Sequence, residues 1–458
     1  MAAKKKGRGA KRTSLRPIRP MVAGIDIGGT EHWVCGPEHK KGERDVRVFG
    51  ATTPELKKMA TWLREQKVES IAMESTYIYW IPVLEVLAAE GFEVVLVNAR
   101  TLKNVPGRKT DMHDCQWLQL LHSCGLLRGS FRPEDEVCQL RALQRQRANL
   151  IDERSRIVHW MQKSLDQMNV RVHRAVSDIT GTTGMKIIRA IVDGERDPLK
   201  LATFRDKRCK KSEEDIAEHL TGTWRQEHLF NLTSALSLYD QMEASIHAYD
   251  QELLRVLDDI TPEDRRDEEV PEHPNANKAK AMHRRGETGL RTALFRFAGV
   301  DLTTIDGISA ESARVILTEV GPDISAFPTE KHFISWLHLC PRTPISGGKP
   351  LKGKKNSLGA SRVGAILRLA AVAVQRTPSA VGATYRRISR RKSAAVAVFA
   401  VARKLAQYVY RLLRFGAEYV DIGAERYEQQ FHDRRVAALT KNAEALGLKL
   451  VPAAVGAG

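Results

Sequence analysis

Met21-Val22-Ala23-Gly24-Ile25-Asp26-Ile27-Gly28-Gly29-Thr30 is the stretch from which the front of the chain can be ordered. Met21–Ile27 is an apolar run carrying one acid, and Gly28-Gly29 stops it. A short apolar run closed by glycines reads as a buried strand, with Asp26 at its end. Trp33–Gly36 and Val46–Phe49 read as two further short strands, with a turn-rich Pro37–Gly42 between them. Leu56–Leu63 has helical spacing, Ile71–Met73 is a short strand, and Trp80–Ala89 is helical up to Gly91. Val94–Val97 is another apolar strand, and a helix follows from about Asp111 to Ser123. The first three strands can form an antiparallel meander; the later ones join through helical crossovers. The order is that of an α/β ribonuclease-H-like domain.

Four carboxylates take particular places in that order. Asp26 ends the first strand, Glu74 follows the Ile71–Met73 strand, and Asp111 and Asp114 open the last helix three residues apart. That spacing puts the last two on one helix face. With the first and fourth strands adjacent and the helix crossing their ends, all four acids converge. Converging anions repel unless divalent cations hold them, and an all-oxygen donor set suits Mg2+ better than Zn2+. Two such ions would serve phosphoryl transfer, with Mn2+ as an alternative. Taken singly, Asp111 is equally a helix N-terminal acid and Glu74 a surface residue.

The rest of the chain is different in kind. Residues 1–20 carry eight Lys/Arg and no acid, and read as a disordered basic arm. Residues 21–135 form the α/β domain. Residues 136–289 read as a helical, coiled-coil region with a linker. Within it, 136–167, 212–221 and 231–258 are amphipathic helices, while Glu263–Pro274 and Asn275–Arg285 are linker. Residues 290–458 form a mainly α-helical last domain, with helices at 362–376 and 393–415. In it, Ile305-Asp306-Gly307-Ile308 resembles the turn of a helix-hairpin-helix, with Ser309 where a second glycine is usual. Such a turn offers backbone N–H groups to a phosphate.

The formal charge is +18, and Arg342–Ala417 holds 17 Lys/Arg with no Asp or Glu. One-signed stretches of this length fit phosphate contacts, so nucleic acid is the expected partner. Lys349, Lys352, Lys354, Lys355, Arg362 and Arg368 are the candidate contacts. No apolar run approaches the roughly 18 residues that span a bilayer, and no membrane partner is expected. Six scattered cysteines without a Cys-x-x-Cys pair suit a reducing cytoplasm. A competing signal is Gly24–Thr30, which looks like the first phosphate loop of sugar kinases and actin-like ATPases. That reading requires a second ATP-binding lobe, and the chain turns helical after residue 135 instead. Gly348-x-x-x-x-Gly353-Lys354-Lys355 mimics a P-loop but lacks its Ser/Thr and preceding strand.

The chain resembles the insertion-sequence transposases of family one-hundred-and-ten, the bridge-RNA-guided recombinases. Gly24-Ile25-Asp26, Met73-Glu74-Ser75-Thr76 with Tyr79-Trp80, and Lys109-Thr110-Asp111-Met112-His113-Asp114 carry the likeness in front, with Cys115 where alanine is usual. Behind, it rests on Ile305–Gly307, Phe327 with Pro341, Ser346-Gly347-Gly348 and Ala402-Arg403-Lys404-Leu405. The resemblance implies a RuvC-like front domain whose metal site is Asp26, Glu74, Asp111 and Asp114. It implies a C-terminal transposase domain with Ser346 as nucleophile, forming a phosphoserine link to cleaved DNA. It further implies donor and target DNA, a structured guide RNA, and a homo-oligomer, either a dimer or a dimer of dimers. The expected setting is the bacterial cytoplasm, at the nucleoid during action. From the residues alone, Ser357 and Ser361 compete with Ser346, and a metal-only nuclease of the Holliday-junction class would share the four acids.

Overall fold

The computed structural model describes residues 17–40, 43–75, 77–98, 114–207, 209, 211–340, 345–346, 349–350, 361–416 and 423–451. They fall into two compact units, one ending at Arg132 and one beginning at Pro133.

The first unit is a mixed sheet with helices on both faces. Its strands are β1 (Val22–Ile27), β2 (Glu31–Lys40), β3 (Glu43–Gly50), β4 (Ser70–Glu74) and β5 (Glu93–Val97). They lie in the order β3-β2-β1-β4-β5. β1, β2 and β3 are the antiparallel meander; β4 joins β1, and β5 joins β4, in parallel. The parallel connections run through α1 (Thr53–Glu65) and α2 (Trp80–Ala89), because parallel neighbours need a crossover.

Strand alternation then sorts the side chains. Ala23, Ile25, Ile27, Ile71 and Met73 share a core with Leu56, Met59 and Leu63 of α1 and Val83 and Leu87 of α2. The opposite face of β1 and β4 carries Gly24, Asp26, Ser70, Ala72 and Glu74. The helix α3 (Asp114–Ser123) covers it, and Ser70 Oγ hydrogen-bonds His122 Nε2 at 2.8 Å.

One sequence expectation fails here. Pro37–Gly42 was to be a turn, yet β2 continues through Pro37 to Lys40. Register shifts on either side of Glu38 absorb the proline, which has no N–H to give a ladder. Arg44 holds this strand end, bonding Glu38 at 2.6 Å and Gln119 of α3 at 2.8 Å.

The second unit is helical apart from one short strand pair among the described residues. Its two longest helices, α4 (Asp135–Gln167) and α9 (Gln226–Ile260), pack together antiparallel. Arg147 pairs with Asp250 at 2.6 Å, and Arg154 further along pairs with the earlier Glu243. Four shorter helices connect them: α5 (Val172–Ala175), α6 (Thr182–Val192), α7 (Pro198–Ala202) and α8 (Glu213–Leu220). Met161, Leu165, Ile187, Ile191, Leu220, Leu232 and Leu236 form the shared core.

Further on come α10 (Ala276–Arg284), α11 (Thr288–Ala298), α12 (Ala310–Val320) and α13 (Glu330–Trp336). After β6 (Ile345–Ser346) and β7 (Lys349–Pro350), the chain forms α14 (Arg362–Ala373), α15 (Ala380–Arg391), α16 (Ala394–Phe415) and α17 (Ala424–Ala445). Arg145 joins α4 to α12 through both oxygens of the buried Glu319, at 2.9 and 2.7 Å.

Asn275–Arg285, expected as linker, is instead helix α10. The Asn275 side chain caps it by accepting from the Lys278 N–H at 3.1 Å. The Lys278 ammonium donates to the Ile305 carbonyl at 2.9 Å, and burial pulls its pKa down to about 8. The polar pattern of this segment hid an anchored helix.

Candidate active site

Asp26 lies one residue before the end of β1, and Glu74 is the last residue of β4. The register pairs Ile25 with Met73, so the next positions on the two strands, 26 and 74, stand side by side. Both belong to the face covered by α3, at the carboxyl ends of parallel strands. That edge is where open α/β sheets place their ligands.

Gly24 sets how closely α3 approaches β1. A Cβ at Gly24 would lie 2.3 Å from the Cys115 carbonyl oxygen and 2.4 Å from the Gln119 amide nitrogen. Only glycine allows this approach of helix to strand. It seats the first turn of α3 over β1, and Asp114 is the first residue of α3. The Cys115 thiol registers the result: burial pushes it up to about 11, and the charges of Asp26 and Asp114 push the same way.

Asp111 lies outside the described residues. Among the described residues, no set of three His, Cys, Asp or Glu side chains stands close enough to hold an ion. The donors at this edge are nevertheless all carboxylates, a set that fits a hard divalent cation.

The neighbouring glycines have structural work. Gly28 donates to the Glu31 carbonyl at 3.1 Å, and a Cβ there would lie 2.4 Å from that oxygen. Gly29 lies against the Tyr79 ring, 3.4 Å from where its Cβ would be. The Gly28-Gly29 pair forms a tight β1–β2 turn.

Gly24 is the residue whose role the sequence reading missed. Its signal was a glycine inside an apolar strand, two residues before the acid. Gly24→Ala must displace α3 from β1, moving Asp114 relative to Asp26. The expected cost is about 1–3 kcal/mol of stability. Cleavage should fall by about a hundredfold, because a displacement of about 1 Å is enough for that. Denaturant midpoints and cleavage rates measure both; wild-type cleavage would mean that α3 does not position the acid.

Ser346 lies in the second unit. Its backbone is in β6, paired with Lys349 of β7, with Gly347 and Gly348 between them in sequence. Lys352, Lys354 and Lys355 lie outside the described residues, as does Ser357. Ser361 is engaged as the cap of α14, accepting from the Gly364 N–H at 3.3 Å. Arg362 is exposed, with Nε 3.8 Å from Glu319, and Arg368 lies over the Phe399 ring at 5.5 Å.

The Ile305–Ile308 turn has a packing role of its own. Gly307 has φ +82°, and a Cβ there would lie 2.7 Å from both the Ala370 carbonyl oxygen and Val374 Cγ1. The Ile308 N–H donates to Ile305 O at 3.2 Å, and Ile305 and Ile308 are buried. The turn packs on α14 through Gly307. Ser309, in the second glycine's place, caps α12 by accepting from Ser312 N–H at 3.2 Å.

A transposase family model, the DEDD transposase of the IS110 type, matches residues 23–170. A second, described as Transposase IS116/IS110/IS902 family, matches residues 301–386. The chain belongs to the IS110 transposase family. The first match spans Asp26, Glu74, Asp111 and Asp114, and the second spans Ser346 and the basic residues Lys349 to Arg368. No curated protein matches the chain. As a transposase of this family it is an enzyme of DNA recombination at insertion sequences. Among the described residues, no helix is long and apolar enough to cross a membrane.

Proposed function

We propose that this IS110-family transposase cleaves and rejoins DNA strands under the guidance of a structured RNA, using the acidic edge and Ser346 together. The observation that carries the reading is the placement of Asp26 and Glu74 side by side at the strand ends, with Asp114 heading the helix over the same face. The front unit is then a RuvC-like domain, in which Asp26, Glu74, Asp111 and Asp114 would hold Mg2+. Bound there, the ion would supply charge stabilisation to the attacking and leaving oxygens of a phosphoryl transfer.

The chain's own chemistry is a two-step exchange. The Ser346 oxygen attacks phosphorus and gives up its proton. The bond from phosphorus to the departing deoxyribose oxygen breaks, and that oxygen takes up a proton. A hydroxyl of the recipient strand then attacks the phosphoserine, restoring a phosphodiester and the free serine. Serine needs activation to attack, and no His or Asp is near it in sequence, so activation comes from the acidic edge. A dimer or dimer of dimers, in which the acids of one subunit serve the serine of another, supplies that pairing. The one-signed stretch from Arg342 to Ala417 supplies phosphate contacts to DNA and to RNA. RNA would be recognised through its shape and backbone, leaving sequence choice to base pairing.

The test uses the full-length protein, RNA transcribed from its own element, and a nicked DNA substrate. A covalent protein–DNA adduct should form only when protein, RNA and Mg2+ are all present. Adduct without RNA would overturn the guidance, and adduct in excess chelator would overturn the metal.

A further inference from the structure

The segment leaving the acidic edge exposes large side chains to solvent. Directly after Glu74 the chain passes through Tyr77, Ile78 and Tyr79 before entering α2. Tyr77 is 76% exposed and Tyr79 43%, with Ile78 between them also exposed. A loop of a folded protein has no core to gain from two exposed tyrosine rings. Tyr77 also has φ +51°, a left-handed backbone that bulky residues rarely adopt. Such strain persists only where surrounding contacts enforce it, and it gathers at binding and active sites.

Those contacts are present. Trp80 Nε1 donates to the Tyr77 carbonyl at 3.1 Å, the Ile81 N–H donates to Ile78 O at 3.1 Å, and the Ser75 N–H donates to Val97 O at 3.0 Å. The rings stand 5.5 Å apart at 53°, too close to admit a flat group between them, so each offers one outer face. Gly29, without a side chain, sits against Tyr79 in the turn that follows Asp26. The backbone that carries the rings is therefore held just beyond the end of β4, with the Tyr79 ring against the turn after Asp26.

We infer that Tyr77 and Tyr79 form a stacking platform for unpaired bases of the strand held at the acidic edge. The inference rests on the proposed cleavage at that edge and names what holds the nucleotides next to it. Every base has a π-face, so stacking on tyrosine tolerates any sequence. Such tolerance suits an enzyme whose sequence choice lies elsewhere. A strand exchanged between duplexes must leave its stack, and aromatic side chains offset that loss.

The test is a binding measurement with the full-length protein in chelator, so that no chemistry intervenes. The probe is a short single-stranded oligonucleotide carrying one 2-aminopurine, whose fluorescence is quenched by stacking; the same sequence as a duplex is the reference. Tyr77→Ala with Tyr79→Ala should weaken single-strand binding about tenfold or more and remove the quench. Duplex affinity should hold, and Tyr77→Phe with Tyr79→Phe should behave as wild type. Unchanged single-strand binding in the alanine pair would overturn the inference, as would an equal loss on duplex. A smaller sedimenting species with single-strand binding intact would also overturn it, marking a protein interface instead. Asp26→Ala should keep the quench. If that variant still cleaves DNA, the cleavage reading falls while the stacking result stands.

Discussion

Asp26→Ala, Glu74→Ala, Asp111→Ala and Asp114→Ala should each abolish strand cleavage while leaving the protein folded and bound to nucleic acid. Asp26, Glu74 and Asp114 are only half-buried, so truncating them opens no core cavity. The loss of cleavage should exceed about a hundredfold, the upper range for removing only an outer-shell partner of a metal site. Thermal melts give a sign that distinguishes a metal site from a fold defect. A variant that has lost a metal ligand should lose the Mg2+-dependent rise in melting temperature while still unfolding cooperatively. With Mg2+, the wild type gains stability by mass action and the variants gain less. Binding persists because the one-signed basic stretch lies in the other unit. Near-wild-type recombination by any two of these variants in Mg2+ would sink the assignment.

The sheet was legible because two physical rules leave few choices. Short apolar runs separated by turns can pair as a meander, and parallel neighbours need helical crossovers; the Gly24-to-Cys35 and Ile25-to-Met73 registers follow that order. The adjacency of positions 26 and 74 at the strand ends followed from the same order. What composition alone could not reveal was contact made at a distance in sequence. Pro37 reads as a turn until the bulges around Glu38 are known. Asn275–Arg285 reads as solvent-exposed linker, because nothing local says that Lys278 will be buried against the Ile305 carbonyl. Gly307 reads as a turn glycine, and nothing local says that α14, more than fifty residues away, will press against it. Gly24 and Tyr77 are of the same kind. One is small because a helix backbone presses on it, the other strained because a loop is pinned from Trp80.

Ser346→Ala should lose recombination entirely while keeping metal response, RNA binding and assembly. Wild-type protein on a suicide DNA substrate should retain a covalently attached strand, and peptide mapping should place it on Ser346. The backbone setting favours this serine over its neighbours. Ser346 stands in a short strand pair opposite Lys349, with two glycines between them in sequence. Glycine lets a backbone come close to a phosphate. Ser361 is already engaged in capping α14. Ser361→Ala should therefore cost about 1 kcal/mol of stability and still form the adduct. Ser357→Ala should form it too. Asp111→Ala should prevent it if, as proposed, the acidic edge activates the serine. An adduct that survives Ser346→Ala would move the nucleophile elsewhere. Complete absence of adduct in an actively recombining wild-type reaction would leave the four acids as a metal-only nuclease site, with Ser346 confined to holding the strand pair.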